Sequence, residues 1–304
     1  MRIGVMIPTF NEENMRIGVM IPTFNEENSI SLCIKSLLQQ SLRPVQIIVC
    51  DNESIDNTRE IASNILDRDN IPFQIVIEPR DSLIGKWNIN FAYWKASQYL
   101  KKDLNLVACL EADVTLDKNY YTVLVSEFSN RRLGIACGSL LPYGFRESPF
   151  PLAESWKDKV TWGANRVYRY SCWLDLNRAV DLRLLSAWDT DHDVLAAIRG
   201  WEIAQSEEAV SWHTRPVNPY RGFSKGMLNR YIGYPFWWNL YKTLKTFDPD
   251  LLIGYACMMI WGGSSPLKKV YQQAITSELR KRVTNLTFFT KANKGDSGFD
   301  KCRV

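Results

Sequence analysis

Signatures of the common enzyme classes are largely missing from this sequence, and each absence narrows what the chain can do. No two of its 16 glycines stand one residue apart, which removes the G-x-G-x-x-G turn that brings backbone up to a dinucleotide pyrophosphate. Gly85-Lys86 is followed by Trp87, so the phosphate loop of the P-loop enzymes is absent as well. Histidine occurs only at His192 and His213, with neither the H-E-x-x-H spacing nor a Cys/His pattern that would hold zinc. There is no G-x-S-x-G elbow followed by an acid and a histidine, which argues against an α/β-hydrolase. The 7 cysteines form no C-x-x-C pair, and their odd number and scatter predict reduced thiols. The longest uncharged apolar run, Leu251 to Gly263, falls short of the ~20 residues of a spanning helix. No charged, apolar and small-residue succession of a secretory signal opens the chain, so it is expected to be cytoplasmic, either free or held on the inner face of the membrane. Lys and Arg exceed Asp and Glu by 37 to 33, a net charge of +4 that is too small to point to nucleic acid.

What is present belongs to a globular chain, since 46% hydrophobic and 23% charged residues over 304 positions are enough to bury a large core. Residues 1–14, MRIGVMIPTFNEEN, recur letter for letter as residues 15–28. Structural repeats usually have longer periods and diverge, so this identity marks a recent duplication and not an architectural unit. Only the second copy runs straight into the amphipathic segment that begins at Ser29. Strand, turn and helix are therefore expected from Met15 onward, with residues 1–14 outside the core.

From Arg16 short apolar runs alternate with helical periods: RIGVMIP, a helix near Ser31 to Gln40, VQIIVC, a helix near Asn57 to Leu66, FQIVIE, a helix near Asn88 to Tyr99, and LNLVACLEAD. This alternation predicts an α/β fold with a mainly parallel, doubly wound sheet. Ligands of such sheets bind beyond the carboxyl ends of the strands. Those ends carry Pro22-Thr-Phe-Asn-Glu, Asp51-Asn52, Glu78 and Glu111-Ala-Asp113. Past about residue 221 the composition turns aromatic and basic, in three segments that read as amphipathic helices. Two readings fit this extension, residues 221–304: helices that close a core, and helices resting in the lipid interface, where Trp, Tyr and Lys are favoured. Residues 15–220 would form the sheet domain.

Glu111 and Asp113 follow a buried run, and in a strand residues two apart share a face, so both carboxylates would address one ligand. That suits a hard divalent cation whose shell is completed by water and phosphate, although a solvated strand end would look the same. A second acidic cluster, Trp188-Asp-Thr-Asp-His-Asp193, leads into a helical run that stops at Gly200. Thr190 with Asp193 three residues on is a capping-box pattern, which accounts for Asp191 and Asp193 as first-turn acids favoured by the helix dipole. Asp189 escapes that explanation; it is expected in a loop just before the cap, where a carboxylate could serve as a general base. His213 enters the loop Thr214-Arg215-Pro216 and is either a structural histidine or a metal or phosphate ligand.

In chain order, IPTFNEEN, VCDNESIDNT, Gly85-Lys86, LEADV, WGANRVYR, WDTDHDVLAAIRGW and His213 resemble the family 2 glycosyltransferases of GT-A fold, over about residues 15 to 216. The resemblance implies transfer of a sugar, with inversion, from a nucleoside diphosphate to a hydroxyl of a glycan, lipid-linked or protein acceptor, with Mg²⁺ or Mn²⁺ as cofactor. It puts Pro22, Thr23, Asn25 and Glu26 in the nucleoside pocket, Asp51 and Asn52 beside the base, and Lys86 near the nucleotide. Glu111, Ala112 and Asp113 stand at the Asp-x-Asp motif, with Asp113 as a direct metal ligand. Gly163, Ala164 and Asn165 match the loop near the donor sugar. Asp189 matches the catalytic base, with Asp191 as the fallback, and Asp113, Glu111 and His213 would form the metal set. Glu111 replaces an Asp, Asn52-Glu53 replaces Asp-Gly, and Trp188 replaces a Glu. These departures keep a second function open, a catalytically silent module that binds a nucleotide sugar or glycan.

Overall fold

The structure is a computed structural model that describes residues 14–79, 89–141, 143, 163–179, 188–216 and 222–262. The first repeat copy up to residue 13, Lys86 and the third C-terminal segment lie outside the described residues. The chain divides into two compact units, Met1–Asn218 and Pro219–Val304, and each is considered by itself.

In the first unit the strongest apolar runs become the innermost strands. β1 (Ile17–Thr23), β2 (Gln46–Asp51) and β4 (Leu106–Leu110) are buried at every position, as expected of parallel strands covered on both faces. β3 (Phe73–Ile77) ends the sheet and is mostly part-exposed. Between these strands run α1 (Ile30–Leu38), α2 (Thr58–Leu66) and α3 (Ile89–Ser97). α1 buries Ile30, Cys33, Ile34 and Leu37, the one-face spacing of an amphipathic helix. β1 pairs in parallel with both β2 and β4, and β2 with β3, which is the alternation read from the sequence.

The later half is more mixed. β5 (Val114–Leu116), α4 (Tyr120–Glu127), β6 (Leu133–Leu141), β7 (Asn165–Arg169), α5 (Tyr170–Ala179), α6 (Trp188–Ile198) and β8 (Glu202–His213) complete a sheet of order β3-β2-β1-β4-β7-β6-β8-β5. β7 is antiparallel to both of its neighbours, β4 and β6, while β8 is parallel to β6 and antiparallel to β5. The sheet is thus mainly parallel with a reversed strand at its centre, a feature that short apolar runs do not encode, because periodicity carries no strand direction. Tyr120, fully buried, ties the reversed strand in: its hydroxyl donates to the Asn165 carbonyl at 2.5 Å and accepts from the Gly138 N–H at 2.8 Å. A Cβ at Gly138 would lie 2.1 Å from the Ala209 carbonyl oxygen, so only glycine fits where β8 crosses.

The second unit contains α7 (Gly222–Ile232), α8 (Phe236–Thr246) and α9 (Asp250–Trp261). Small residues let α7 and α9 touch backbone to backbone: added Cβ atoms at Gly226 and Gly254 would each sit 1.9 Å from a carbonyl oxygen, that of Leu251 and that of Phe223. Asn239 is buried in a side-chain bond with Asn229 at 2.7 Å, and the Tyr255 hydroxyl donates to the Tyr234 carbonyl at 2.8 Å. Large apolar side chains stay outside on α8 and just after it: Trp237 (73% exposed), Tyr241, Leu244 and Phe247. No helix among the described residues is long and apolar enough to cross a membrane.

Candidate functional site

The polar residues at the carboxyl ends of β1 and β2 hold one another in place. Asp51 is fully buried; it accepts from the Thr23 hydroxyl at 3.0 Å, the Ser54 hydroxyl at 2.5 Å and the Ser54 N–H at 2.9 Å, with Arg59 Nε 3.6 Å away. Asn25 adopts a left-handed backbone, φ 53°, which Asn tolerates better than most residues. Its N–H donates to Ser54 at 2.9 Å and its side-chain oxygen accepts from the Ile55 N–H at 3.0 Å. Asn52 donates to the Glu78 carbonyl at 3.0 Å, while its buried side-chain oxygen meets no hydrogen-bond donor among the described residues. Pro22, the penultimate residue of β1, lies opposite Cys50 in the parallel pairing.

Beyond β4 the backbone departs from expectation. β4 ends at Leu110, and Glu111, Ala112 and Asp113 form a turn closed by the Val114 N–H on the Glu111 carbonyl at 3.1 Å. The same-face rule for alternate strand residues therefore does not govern Glu111 and Asp113. Among the described residues no three His, Cys, Asp or Glu side chains converge as a metal site, so Glu111 does not close a set with Asp113 and His213. Those two do meet: the β5–β8 pairing sets Val114 opposite His213 and leaves His213 Nδ1 3.8 Å from Asp113 Oδ2. Thr214 adds two bonds to the Asp113 carbonyl, from its N–H at 2.8 Å and its hydroxyl at 3.0 Å. Burial pushes the Asp113 carboxyl up, but the His213 ring and the Arg215 guanidinium outweigh it and hold the group below its ordinary value.

Arg215 carries no sequence signal that singles it out. Its Nε donates to Asp113 Oδ2 at 2.8 Å and its Nη2 to Glu26 Oε1 at 2.9 Å, joining the end of β1 to the turn after β4. Glu26 is itself pinned by a bond from its N–H to the Thr58 hydroxyl at 2.7 Å. Burial raises the Glu26 carboxyl, opposed by the Arg215 charge.

Asp189 stands in the first turn of α6, which begins at Trp188, so the helix starts earlier than the capping pattern suggested. Trp188 anchors that start by packing on Tyr93, ring centroids 4.7 Å apart. The fully buried Arg166 holds it from below: Nη1 donates to the Asp189 carbonyl at 2.8 Å and pairs with Asp193 Oδ1 at 3.0 Å. Asp189 is part-exposed, whereas Asp191, the alternative base, is fully buried. Gly163 lies directly against Asp189; a Cβ there would be 3.1 Å from the carboxylate oxygen. The Glu111 N–H donates to the carbonyl of the adjacent Ala164 at 2.9 Å. A continuous strip of contacts thus runs from the Asp113 turn through Ala164 and Gly163 to Asp189. Asn165, by contrast, points into the sheet, where its amide donates to Ser211 at 2.7 Å.

Comparison with known proteins gives the family and the fold in which this arrangement sits. The family model described as glycosyl transferase family 2 matches residues 18–181, more than half of the chain. The chain belongs to glycosyl transferase family 2. Its fold is that of solved GT-A glycosyltransferases. The mannosyltransferase PcManGT from Pyrobaculum calidifontis, in complex with GDP-Man and Mn²⁺, aligns with a TM-score of 0.56 at 16% identity over 92% of this chain and 81% of that one. S. aureus TarS 1-349 aligns at 0.53 and 16% identity over 71% of this chain, and its complex with UDP-GlcNAc at 0.53 and 14%. The family 2 chain spans 64% of the length of that TarS fragment. No curated protein sequence matches it.

The matched stretch of the family 2 chain ends before Asp189, His213 and Arg215, so their assignment rests on geometry. Asp113 and His213 fit a divalent cation as a two-donor half-site, the kind that leaves most of the shell to phosphate and water.

Proposed function

We propose that this family 2 chain is an inverting glycosyltransferase that moves a sugar from a nucleoside diphosphate to an acceptor hydroxyl. The observation that carries the reading is the strip of contacts that joins the Asp113–His213 pair, through Ala164 and Gly163, to a part-exposed Asp189. Asp113 and His213 would hold Mg²⁺ or Mn²⁺, which supplies Lewis-acid stabilisation of the departing diphosphate. Asp189 accepts the proton of the acceptor hydroxyl as that oxygen attacks the anomeric carbon from the face opposite the leaving group. Gly163, lacking a side chain, leaves Asp189 room beside the sugar. The Thr23–Asp51–Ser54 network and the open acceptor on Asn52 form the floor on which the base is held. Asp191, fully buried, has no access to an acceptor.

The acceptor is proposed to be lipid-linked or part of an envelope or protein glycan. Trp237, Tyr241 and Leu244 are exposed at one-face helical spacing on α8, with Lys242 over the Trp238 ring at 5.1 Å, a composition suited to the membrane interface. Residues 15–220 are assigned the transferase activity and residues 221–304 the membrane contact.

The test is the melting shift of the protein against nucleoside diphosphates and nucleotide sugars, with and without Mn²⁺, because a ligand of the native state raises stability by mass action. A metal-dependent shift selective for one base is expected. No shift with any nucleotide, in a folded protein, would overturn the reading. Sedimentation with anionic liposomes tests the membrane contact; binding that survives Trp237→Ser and Leu244→Ser together would remove α8 as its source.

A further inference from the structure

The metal half-site already contains a cation. Arg215 bridges Asp113 and Glu26, and the Asp113 oxygen that takes its Nε bond, Oδ2, is the same oxygen that faces His213. A metal held between Asp113 Oδ2 and His213 Nδ1 would therefore share one carboxylate oxygen, and its charge, with a guanidinium. The carboxylates cannot yield: both side chains are nearly buried, Glu26 is pinned through its backbone to Thr58, and Asp113 through its carbonyl to Thr214. Arg215 can, since its side chain is 55% exposed and hangs from the loop after β8 on a long flexible stem.

We infer that Arg215 is a resident counter-ion which keeps the divalent cation out of its half-site until a nucleoside diphosphate supplies the negative charge to hold both. Metal alone would have to displace the charge-assisted bond from Arg215 Nε to Asp113 and sit beside a like charge. Metal with a diphosphate meets no such penalty, because the displaced guanidinium gains phosphate oxygens, which its planar fork fits. Metal and donor then bind as one linked event, and the linkage is reciprocal: whatever the nucleotide adds to metal affinity, the metal adds to nucleotide affinity. The inference rests on the transferase reading for the identity of the diphosphate, but not for the competition between Arg215 and the cation.

Titration of the full chain with Mn²⁺ alone, followed by the paramagnetic signal of the free ion, separates the two. Arg215→Gln is expected to bind Mn²⁺ at least about tenfold more tightly than the parent in the absence of nucleotide, the scale of one charge-assisted bond. The gain in Mn²⁺ affinity produced by saturating UDP or GDP should shrink by a similar factor. Arg215→Lys, which keeps the charge but loses the planar fork, should fall between. Unchanged, weaker or undetectable Mn²⁺ binding by Arg215→Gln, with its melting curve intact, would overturn the inference. A parent protein that binds no nucleotide with or without metal would instead overturn the transferase reading, with the effect of Arg215 on metal alone still measured.

Discussion

Two arginines of this fold make similar bonds in opposite surroundings. Arg166 is fully buried on β7, where it joins the Asp193 carboxylate and the Asp189 carbonyl and lies over the Trp188 ring at 5.5 Å. Arg215 joins the carboxylates of Glu26 and Asp113 from a side chain more than half exposed. Removing one partner of a buried pair leaves an uncompensated charge in a poor solvent for it, whereas water replaces a lost partner at the surface. Burial thus makes one guanidinium a fixture of the helix that carries Asp189, and makes the other exchangeable at the site where charge must be exchanged.

The contrast breaks most visibly if Asp189 proves structural like the arginine beneath it. Asp189→Asn should lower transfer by about 10² to 10⁴-fold, the usual contribution of a general base, while the nucleotide-induced melting shift persists. Loss of both together would place Asp189 with Arg166 as part of the framework. Arg166→Met comes next. It should destabilise the protein by about 3–5 kcal/mol, the range for breaking a buried ion pair, read as a lower urea midpoint. An unchanged midpoint would mean that burial does not separate the two arginines.

How much of this could be read in the sequence follows the same division. β1, β2 and β4 are continuous apolar runs because they are covered on both faces, and that makes both their positions and their parallel pairing legible. The reversal at β7 was not, since Asn165–Arg169 contains two arginines and gives no sign that one of them, Arg166, is buried. Asp113, His213 and Asp189 were legible as residue types in an order. Their geometry was not: a turn replaces the strand expected at Glu111, and packing of Trp188 starts α6 early. Arg215 was invisible for a simpler reason, as its partner Glu26 lies 189 positions away in the chain.

The buried side of the comparison can be sharpened with acid. His192 is fully buried beside Arg166, its Nδ1 3.0 Å from the Tyr168 hydroxyl and its Nε2 without a hydrogen-bond partner among the described residues. Burial, reinforced by the Arg166 charge, pushes its pKa down from 6.5 to about 3. The unfolded chain therefore binds a proton that the native state refuses. Stability from this group is fully present above pH 6.5 and is lost as the pH falls toward 3, with a slope of about 1.4 kcal/mol per pH unit. His192→Phe keeps the ring among Tyr168, Trp173 and Trp188 and removes the proton site. Denaturant midpoints measured across that window should fall less steeply for the variant; parallel slopes would assign the acid sensitivity elsewhere.

The smallest effect is expected at Arg215, and its dependence on salt matters more than its size. Arg215→Gln should change stability by about 1–2 kcal/mol, less than Arg166→Met, because the guanidinium it removes is more than half exposed although Glu26 and Asp113 are nearly buried. Raising NaCl from 0.05 to 1 M, both values set by the experiment, shortens the screening length to about 3 Å, so the difference from the parent should vanish at the upper end. The deficit of Arg166→Met should not, because salt does not reach a guanidinium enclosed by Trp188 and Tyr168. If both deficits fade together, Arg166 is reached by solvent and the distinction between fixed and exchangeable cations fails. If neither fades, Arg215 is held as firmly as Arg166, and the half-site would not release it to admit a metal.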